Sequence, residues 1–305
     1  MATAAIEDGW ALPAGANVIL CADDFAMTDG VSRGIEELGL ARRLSATSAI
    51  VTLPGWERHA TRLRELRAFL AIGLHINLTL GPPLGPMPRL APDGEFPFHP
   101  ALVRRAMTGR LRGDEIAGEI AGEIERQLAR FVEGTGFAPD FIDGHQHVHA
   151  LPVVRTALLA ALRRRAMAPA PLVRDPADGL AAMLRRRASC PKAIVISLLS
   201  QGFGRRVRRA GFPTNHGFSG VSSFDLDSPY GEELATFFAA PGRRHLVMCH
   251  PGYADATLSG LDDVVERRHQ EFNALFAAPG LEAAIWHVRR TADGPRIDWQ
   301  EALPV

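Results

Sequence analysis

The sequence predicts an α/β fold: a distorted (β/α) TIM-like barrel of seven or eight mostly parallel strands. Two observations carry this. Short apolar runs alternate with helical patterns along the chain, the signature of a parallel sheet wrapped by helices. Seven or eight such units fill about 290 residues, which suits a closed barrel better than an open sheet.

The expected strands are 17–21, 48–53, 69–78, 140–143, 171–174, 217–221, 245–250 and 283–288. Several are apolar throughout, as strands buried on both faces should be. The clearest helix covers 113–133. Ile116, Ile120, Ile124 and Leu128 recur every four residues, Asp114 and Glu115 sit in its first turn, and Gly134 follows its end. Further helices are expected at 28–40, where Thr28 or Asp29 offers a cap, and at 152–167, 179–187, 193–210, 231–239 and 262–275. Residues 1–15 read as a loose leader, and 16–305 as a single domain, with no repeat or linker to divide it. Residues 81–100 carry seven prolines, so they form an ordered loop rather than a helix or strand. Following a strand directly, that loop is expected over the C-terminal rim, where barrel sites are built.

Composition narrows the function. Of 305 residues, 47% are apolar and 22% charged, and 34 Lys and Arg balance 34 Asp and Glu. These values fit a globular chain, and the balance leaves no global field to recruit nucleic acid or a membrane surface. One local excess, twelve Arg and one Lys over 155–211, reads as solvent-facing helix surface ahead of the alternative, a patch for an anionic partner. Its triplets 163–165 and 185–187 fall at helix ends, where cations complement the dipole. Cys21, Cys190 and Cys249 are too few and too scattered for a disulfide framework or a Cys-x-x-Cys metal site. Their sparsity suits a reducing cytoplasm. No apolar run reaches the ~18 residues of a membrane span. Near the start, Glu7 and Asp8 without Lys or Arg argue against a secretory signal.

Four polar constellations sit where strand-like runs end. The first is Val18-Ile-Leu-Cys-Ala-Asp23-Asp24-Phe25. Adjacent acids at a strand end point in different directions, so one can hold a metal while the other moves a proton. In Ile72-Gly-Leu-His75-Ile-Asn77, His75 and Asn77 share parity and so face. Phe141-Ile-Asp143-Gly-His145-Gln-His147-Val-His149 alternates three His over five residues. If extended, it puts all three imidazoles on one face, with Asp143 placed to orient one of them. Leu246-Val-Met-Cys-His250-Pro-Gly ends an apolar run in a His, a position that reads as catalytic in a barrel. Arg174 also ends a strand, with three readings open: binding substrate, steadying Asp23, or pairing with Asp175 or Asp178. The convergence of these ends on one rim is the argument for an active site.

Taken together, ADDF (22–25), SAT (45–47), GLHINLT (73–79), DGHQHVHALP (143–152), MCHPG (248–252) and GFPTNHGFSG (211–220) resemble the YdjC-like carbohydrate deacetylases, which include chitooligosaccharide deacetylases. The likeness runs in order over residues 17–290. It implies a distorted barrel like that of the glycoside hydrolase and deacetylase group, and removal of N-acetyl groups from an amino sugar or oligosaccharide. It also implies one divalent metal held by Asp24, His75 and His145, with Asp23 as general base and His250 as general acid. Two imidazoles and a carboxylate suit a zinc-like ion, while magnesium is often named for the family. Arg174, His147, His149 and Asn77 are the candidate substrate contacts. Where the family often has Gly after ADDF, this chain has Ala26. A hopanoid-linked branch tends to have Lys in place of Gln146, so a lipid-linked sugar is not assigned. Two alternatives stay open: another barrel metallohydrolase of phosphoesterase or amidohydrolase type, and a non-catalytic sugar-binding protein. Homodimerisation is also left open.

Overall fold

The computed structural model describes Leu12 and residues 17–187 and 189–303. Apart from Leu12, the expected leader lies outside the described residues. Among the described residues seven strands are formed: β1 (Ile19–Phe25), β2 (Ala46–Ala49), β3 (Ala71–Ile76), β4 (Phe141–Gly144), β5 (Leu172–Val173), β6 (Phe218–Ser219) and β7 (Leu246–Cys249). They make one curled sheet in the order β5-β4-β3-β2-β1-β7-β6, and every pair is parallel. The edges are joined by irregular chain. Pro213 O accepts from Val173 N at 2.9 Å, and the Asn215 side chain bonds the backbones of Asp175 and Gly217.

The helices are α1 (Asp29–Leu40), α2 (Trp56–Leu66), α3 (His99–Met107), α4 (Asp114–Thr135), α5 (Val154–Arg165), α6 (Leu180–Arg186), α7 (Cys190–Leu199), α8 (Phe203–Arg209), α9 (Tyr230–Phe237), α10 (Glu266–Ala277), α11 (Leu281–Ala284) and α12 (Trp299–Ala302). Thr28 caps α1, its hydroxyl accepting from Val31 N at 3.2 Å. The Ile stripe of α4 is buried as its period requires. That helix ends at Gly136 rather than Gly134, because Gly136 takes the left-handed φ of +78° that closes the last turn. Two expectations are corrected. The helix at 193–210 is two helices, α7 and α8, broken before Gly202, whose φ is +75°. The strand at 283–288 is a single bridge, Val18 to Ile285, because α11 occupies the first part of that run.

Side-chain alternation explains the core and the site together. Ile19 and Cys21 of β1, Ala46 of β2, Ala71 of β3, Phe141 of β4, Leu172 of β5, Phe218 of β6 and Leu246 and Met248 of β7 form one inner cluster with Trp299. Their neighbours Leu20, Ile72, Ile142, Val173 and Val247 pack outward with the helices. Gly73 also faces inward and leaves room for Phe141, whose ring would lie 2.5 Å from a Cβ there. Below the strands, Arg290 grips both carboxylate oxygens of Asp140 at 2.7 and 2.6 Å, and Trp299 Nε1 donates to Asp140 O at 2.7 Å. The inner column is therefore filled from beneath.

His245, just before β7, is buried in one tautomer. Gly242 N donates to its Nδ1 at 3.2 Å, so Nε2–H donates to Ser219 Oγ at 2.8 Å. Burial, with the nearby Arg186 charge, pushes its pKa down to about 3 from an ordinary 6.5. The folded protein then binds fewer protons than the unfolded chain between those values. The neutral ring's contribution is complete above pH 6.5 and is lost as pH falls through the window, at up to ~1.4 kcal/mol per unit. His245→Gln should be less stable than the parent in urea at pH 7 and lose less stability between pH 7 and 5. An unchanged pH slope would remove His245 from this account.

Candidate active site

Continuing the inner alternation upward replaces apolar side chains with polar ones. After Cys21 comes Asp23, after Ala46 Ser48, after Gly73 His75, after Phe141 Asp143, after Leu172 Arg174, and after Met248 His250. The rim is thus the polar end of the column that makes the core. Asp24 would point outward in a regular strand. Its φ is +68°, and the register of β1 against β2 shifts between Ala22 and Phe25. The bend brings Asp24 to the same space as Asp23, and both are nearly fully buried.

Asp24, His75 and His145 each offer one ligand atom, and these lie within 4.8 Å of one another. Asp24 Oδ1 is 2.9 Å from His145 Nδ1 and 3.4 Å from His75 Nε2. Donors around one ion at ~2.1 Å are about 3.0–3.4 Å apart, so the donor set fits a divalent cation. The far nitrogen of His75 is oriented: Nδ1 is 2.6 Å from Asp143 Oδ1 and 2.9 Å from Ser48 Oγ. This is the outer support that a metal-binding imidazole requires. Asp143 therefore orients His75 rather than His147 or His149. Burial opposes charge on Asp24, yet the facing His145 and Arg268 hold its carboxyl well below the usual range.

Asp23 is held differently. Arg174 forks onto it, Nη1 to Oδ2 and Nη2 to Oδ1, both at 2.6 Å. The same Nη2 lies 2.6 Å from Asp143 Oδ2 and 3.1 Å from Cys21 Sγ. Of the three readings of Arg174, the structure places it against Asp23. Cys21, Asp23 and Asp143 also form a cluster of metal-ligand type, but the guanidinium already fills it.

The three alternating imidazoles do not share a face. Gln146 and His147 take left-handed φ values of 51° and 61°, so residues 145–150 form a 3-10 turn instead of an extended run. His145 meets Asp24. His147 lines the cavity and packs edge-on against Phe218 at 5.5 Å. His149 turns away, packs against Phe203 at 5.6 Å and donates from Nε2 to Arg174 O at 2.9 Å. Asn77 lies past the end of β3. Its side chain bonds Thr52, Thr79 and Leu80 and is not among the described cavity-lining residues.

The cavity above the triad holds about 350 Å³. Its floor is Asp23, Asp24, His75, His145 and His250, and much of its wall is aliphatic, from Leu151, Val195, Ile196, Leu199 and Val264. Of the proline-rich loop and the helix it leads into, His99 at the start of α3 reaches the lining. His250 packs edge-on against Phe224 at 5.7 Å, and its backbone N–H donates to Glu271 at 2.6 Å. Burial outweighs the attraction of Asp24 and Asp23 and pushes its ring down to about 4. It is therefore neutral at pH 7.

Two α10 residues at the site escaped the sequence reading. Arg268 Nη2 lies 2.7 Å from Asp24 Oδ2, and Glu271 holds His250. A signal was available. Arg268, Phe272 and Leu275 are spaced i, i+4, i+7, so a charge stands on the buried stripe of a predicted helix.

The sequence profile of the YdjC-like protein family matches residues 17–282. A chitooligosaccharide deacetylase of Serratia marcescens is 33% identical over 270 residues, covering 88% of this chain and 93% of its own. A carbohydrate deacetylase of Geobacillus stearothermophilus is 35% identical over 276 residues, covering 87% and 91%. Among solved structures, a protein of Enterococcus faecalis V583 described in terms of cellobiose-phosphate cleavage superposes with a TM-score of 0.62 at 22% identity, covering 88% of this chain and 93% of that one. That likeness bears on the fold alone.

Arg174→Leu leaves Asp23 and Asp143 buried without their cation, which should cost about 3–5 kcal/mol. Urea denaturation at pH 7 measures this, and a loss below ~1 kcal/mol would mean that the acids find other partners.

Proposed function

This chain belongs to the YdjC-like protein family, and from that premise we propose that it is a carbohydrate deacetylase, a metal-dependent hydrolase that removes N-acetyl groups from an amino sugar or oligosaccharide. The observation that carries the reading is the division of the paired acids. Asp24 faces two imidazoles as a metal site needs, while Asp23 is held apart by Arg174 at the same cavity floor.

A divalent ion in this site supplies a Lewis acid for the acetamide carbonyl and a water of lowered pKa. Two imidazoles and one carboxylate favour a zinc-like ion over magnesium, whose preference is for oxygen. Asp24, His75 and His145 hold it, and Asp143 sets the His75 tautomer. Asp23 takes the proton of the attacking water, and the Arg174 fork aims its carboxylate. His250 donates to the departing amine nitrogen. Its ring is neutral at rest, so it must first be protonated: the proton that Asp23 takes from the water passes to His250 as negative charge develops on the carbonyl oxygen, and its delivery to the amine returns both groups to their starting forms. His147 and the aliphatic wall border the space for sugar and acetyl group, and exclude water from it. Cytoplasmic location belongs to the same proposal, in keeping with the free thiols of Cys21 and Cys249. Among the described residues no helix is long and apolar enough to cross a membrane.

The two-metal alternative is disfavoured by Arg174, which occupies the second acidic cluster. A non-catalytic sugar binder would have no need of Asp23 in its clamp.

Asp24→Asn should lose metal and deacetylation together. Asp23→Asn should keep the metal and lose roughly 10²–10⁴ in rate on N-acetylated oligosaccharides. Metal content and turnover measured on the same preparations separate the roles. Full activity in both variants would end the paired-acid account, and metal loss from Asp23→Asn would exchange them. His250→Gln should bind metal normally and lose most of its kcat on the amide, but much less on an activated acetyl ester, whose leaving group needs no proton. An equal loss on both substrates at matched folded fraction would make His250 structural.

A further inference from the structure

The two oxygens of Asp24 have different partners. Oδ1 faces His145 and His75. Oδ2 lies 2.7 Å from Nη2 of Arg268, a side chain 1% exposed. Arg268 is itself fixed. Its Nε donates to Val264 O at 3.0 Å, and Nη2 also reaches Asp262 Oδ2 at 2.5 Å. The guanidinium is thus anchored to the segment that leads into α10, through Val264 and Asp262, both of which line the cavity. It has no need of Asp24 to stay in place.

We propose that Arg268 is a positioning residue that restricts Asp24 to one oxygen toward the ion of the triad. The inference rests on the reading of Asp24, His75 and His145 as a metal site. A carboxylate can ligate with one oxygen or two, and a second oxygen occupies a position that a catalytic centre must leave for water and substrate. The hydrogen bond from Arg268 engages the spare oxygen. Its positive charge also weakens attraction of the site for a cation, so the same contact lowers metal affinity and preserves an open coordination sphere. A counter-ion for a buried acid would explain the charge of Arg268. It would not require a hydrogen bond directed at the oxygen turned away from both imidazoles.

The test uses cobalt(II) as the probe, read by titration and by its visible absorption, which weakens as coordination number rises. Arg268→Leu removes both charge and hydrogen bond. It should bind cobalt at least tenfold more tightly, show a visible band several-fold weaker than the parent, and lose about a hundredfold in kcat. Arg268→Gln keeps a donor toward Oδ2 without the charge. It should also bind cobalt more tightly, but retain the parent's spectrum and most of its kcat. Thermal melts establish that each variant is folded, and if the Leu variant is not, the Gln variant carries the test against a parent control. A folded Leu variant with the parent's spectrum would overturn the proposal, as would a Gln variant with a weakened band. Failure of the underlying reading looks different: cobalt would bind the parent no better than it binds His75→Ala or His145→Ala.

Discussion

The site depends on the burial of three carboxylates, Asp23, Asp24 and Asp143, beneath a largely aliphatic cavity. A buried carboxylate without a partner takes up a proton or destabilises the fold. Here each has its own cation or imidazole. Arg174 spans Asp23 and Asp143, and Arg268 meets Asp24. Burial opposes charge on Arg174, but the two acids it bridges push its pKa well above the ordinary range. Removing one member strands at least one other, so the network maintains the stability of the barrel top and holds the carboxyls of Asp24 and Asp143 below their ordinary range.

The fold makes this network possible through a single rule of strand geometry. Successive side chains alternate between the inside of the curled sheet and its helical coat. The inner positions run from apolar at the base, closed by Trp299 and the Asp140–Arg290 pair, to polar at the rim. Core and site are two ends of one column. The departure at Asp24 has a local cause, a left-handed residue beside a register shift, and that departure places two adjacent acids in one pocket with separate partners.

The cavity wall complements its floor. Leu151, Val195, Ile196, Leu199 and Val264 surround a floor of ionised and imidazole groups. Such a wall lowers the local dielectric and strengthens each charged interaction below it. It accounts for the depressed pKa of His250, whose neutrality at rest follows from burial. α10 connects this chemistry to the coat, since Arg268 and Glu271 lie one turn apart and hold Asp24 and the His250 backbone.

Much of this was legible in the sequence, because local pattern reports local geometry. Apolar runs and their endings located the seven strands, the stripe of α4 located that helix, and the polar ends located Asp23, Asp24, His75, His145 and His250. Only the tertiary structure decided which side chains meet. The left-handed Gln146 and His147 turned an apparent row of imidazoles into three separate environments, and backbone sign is not written in a His-x-His-x-His spacing. Asn77 passed the end of its strand, so parity with His75 ceased to mean a shared face. Asp143 turned to His75 and Arg174 to Asp23, across 68 and 151 residues of chain respectively. Arg268 found Asp24 across 244. Such pairings are set by how the sheet curls and which helix covers it, and a linear sequence carries the residues but not their distances.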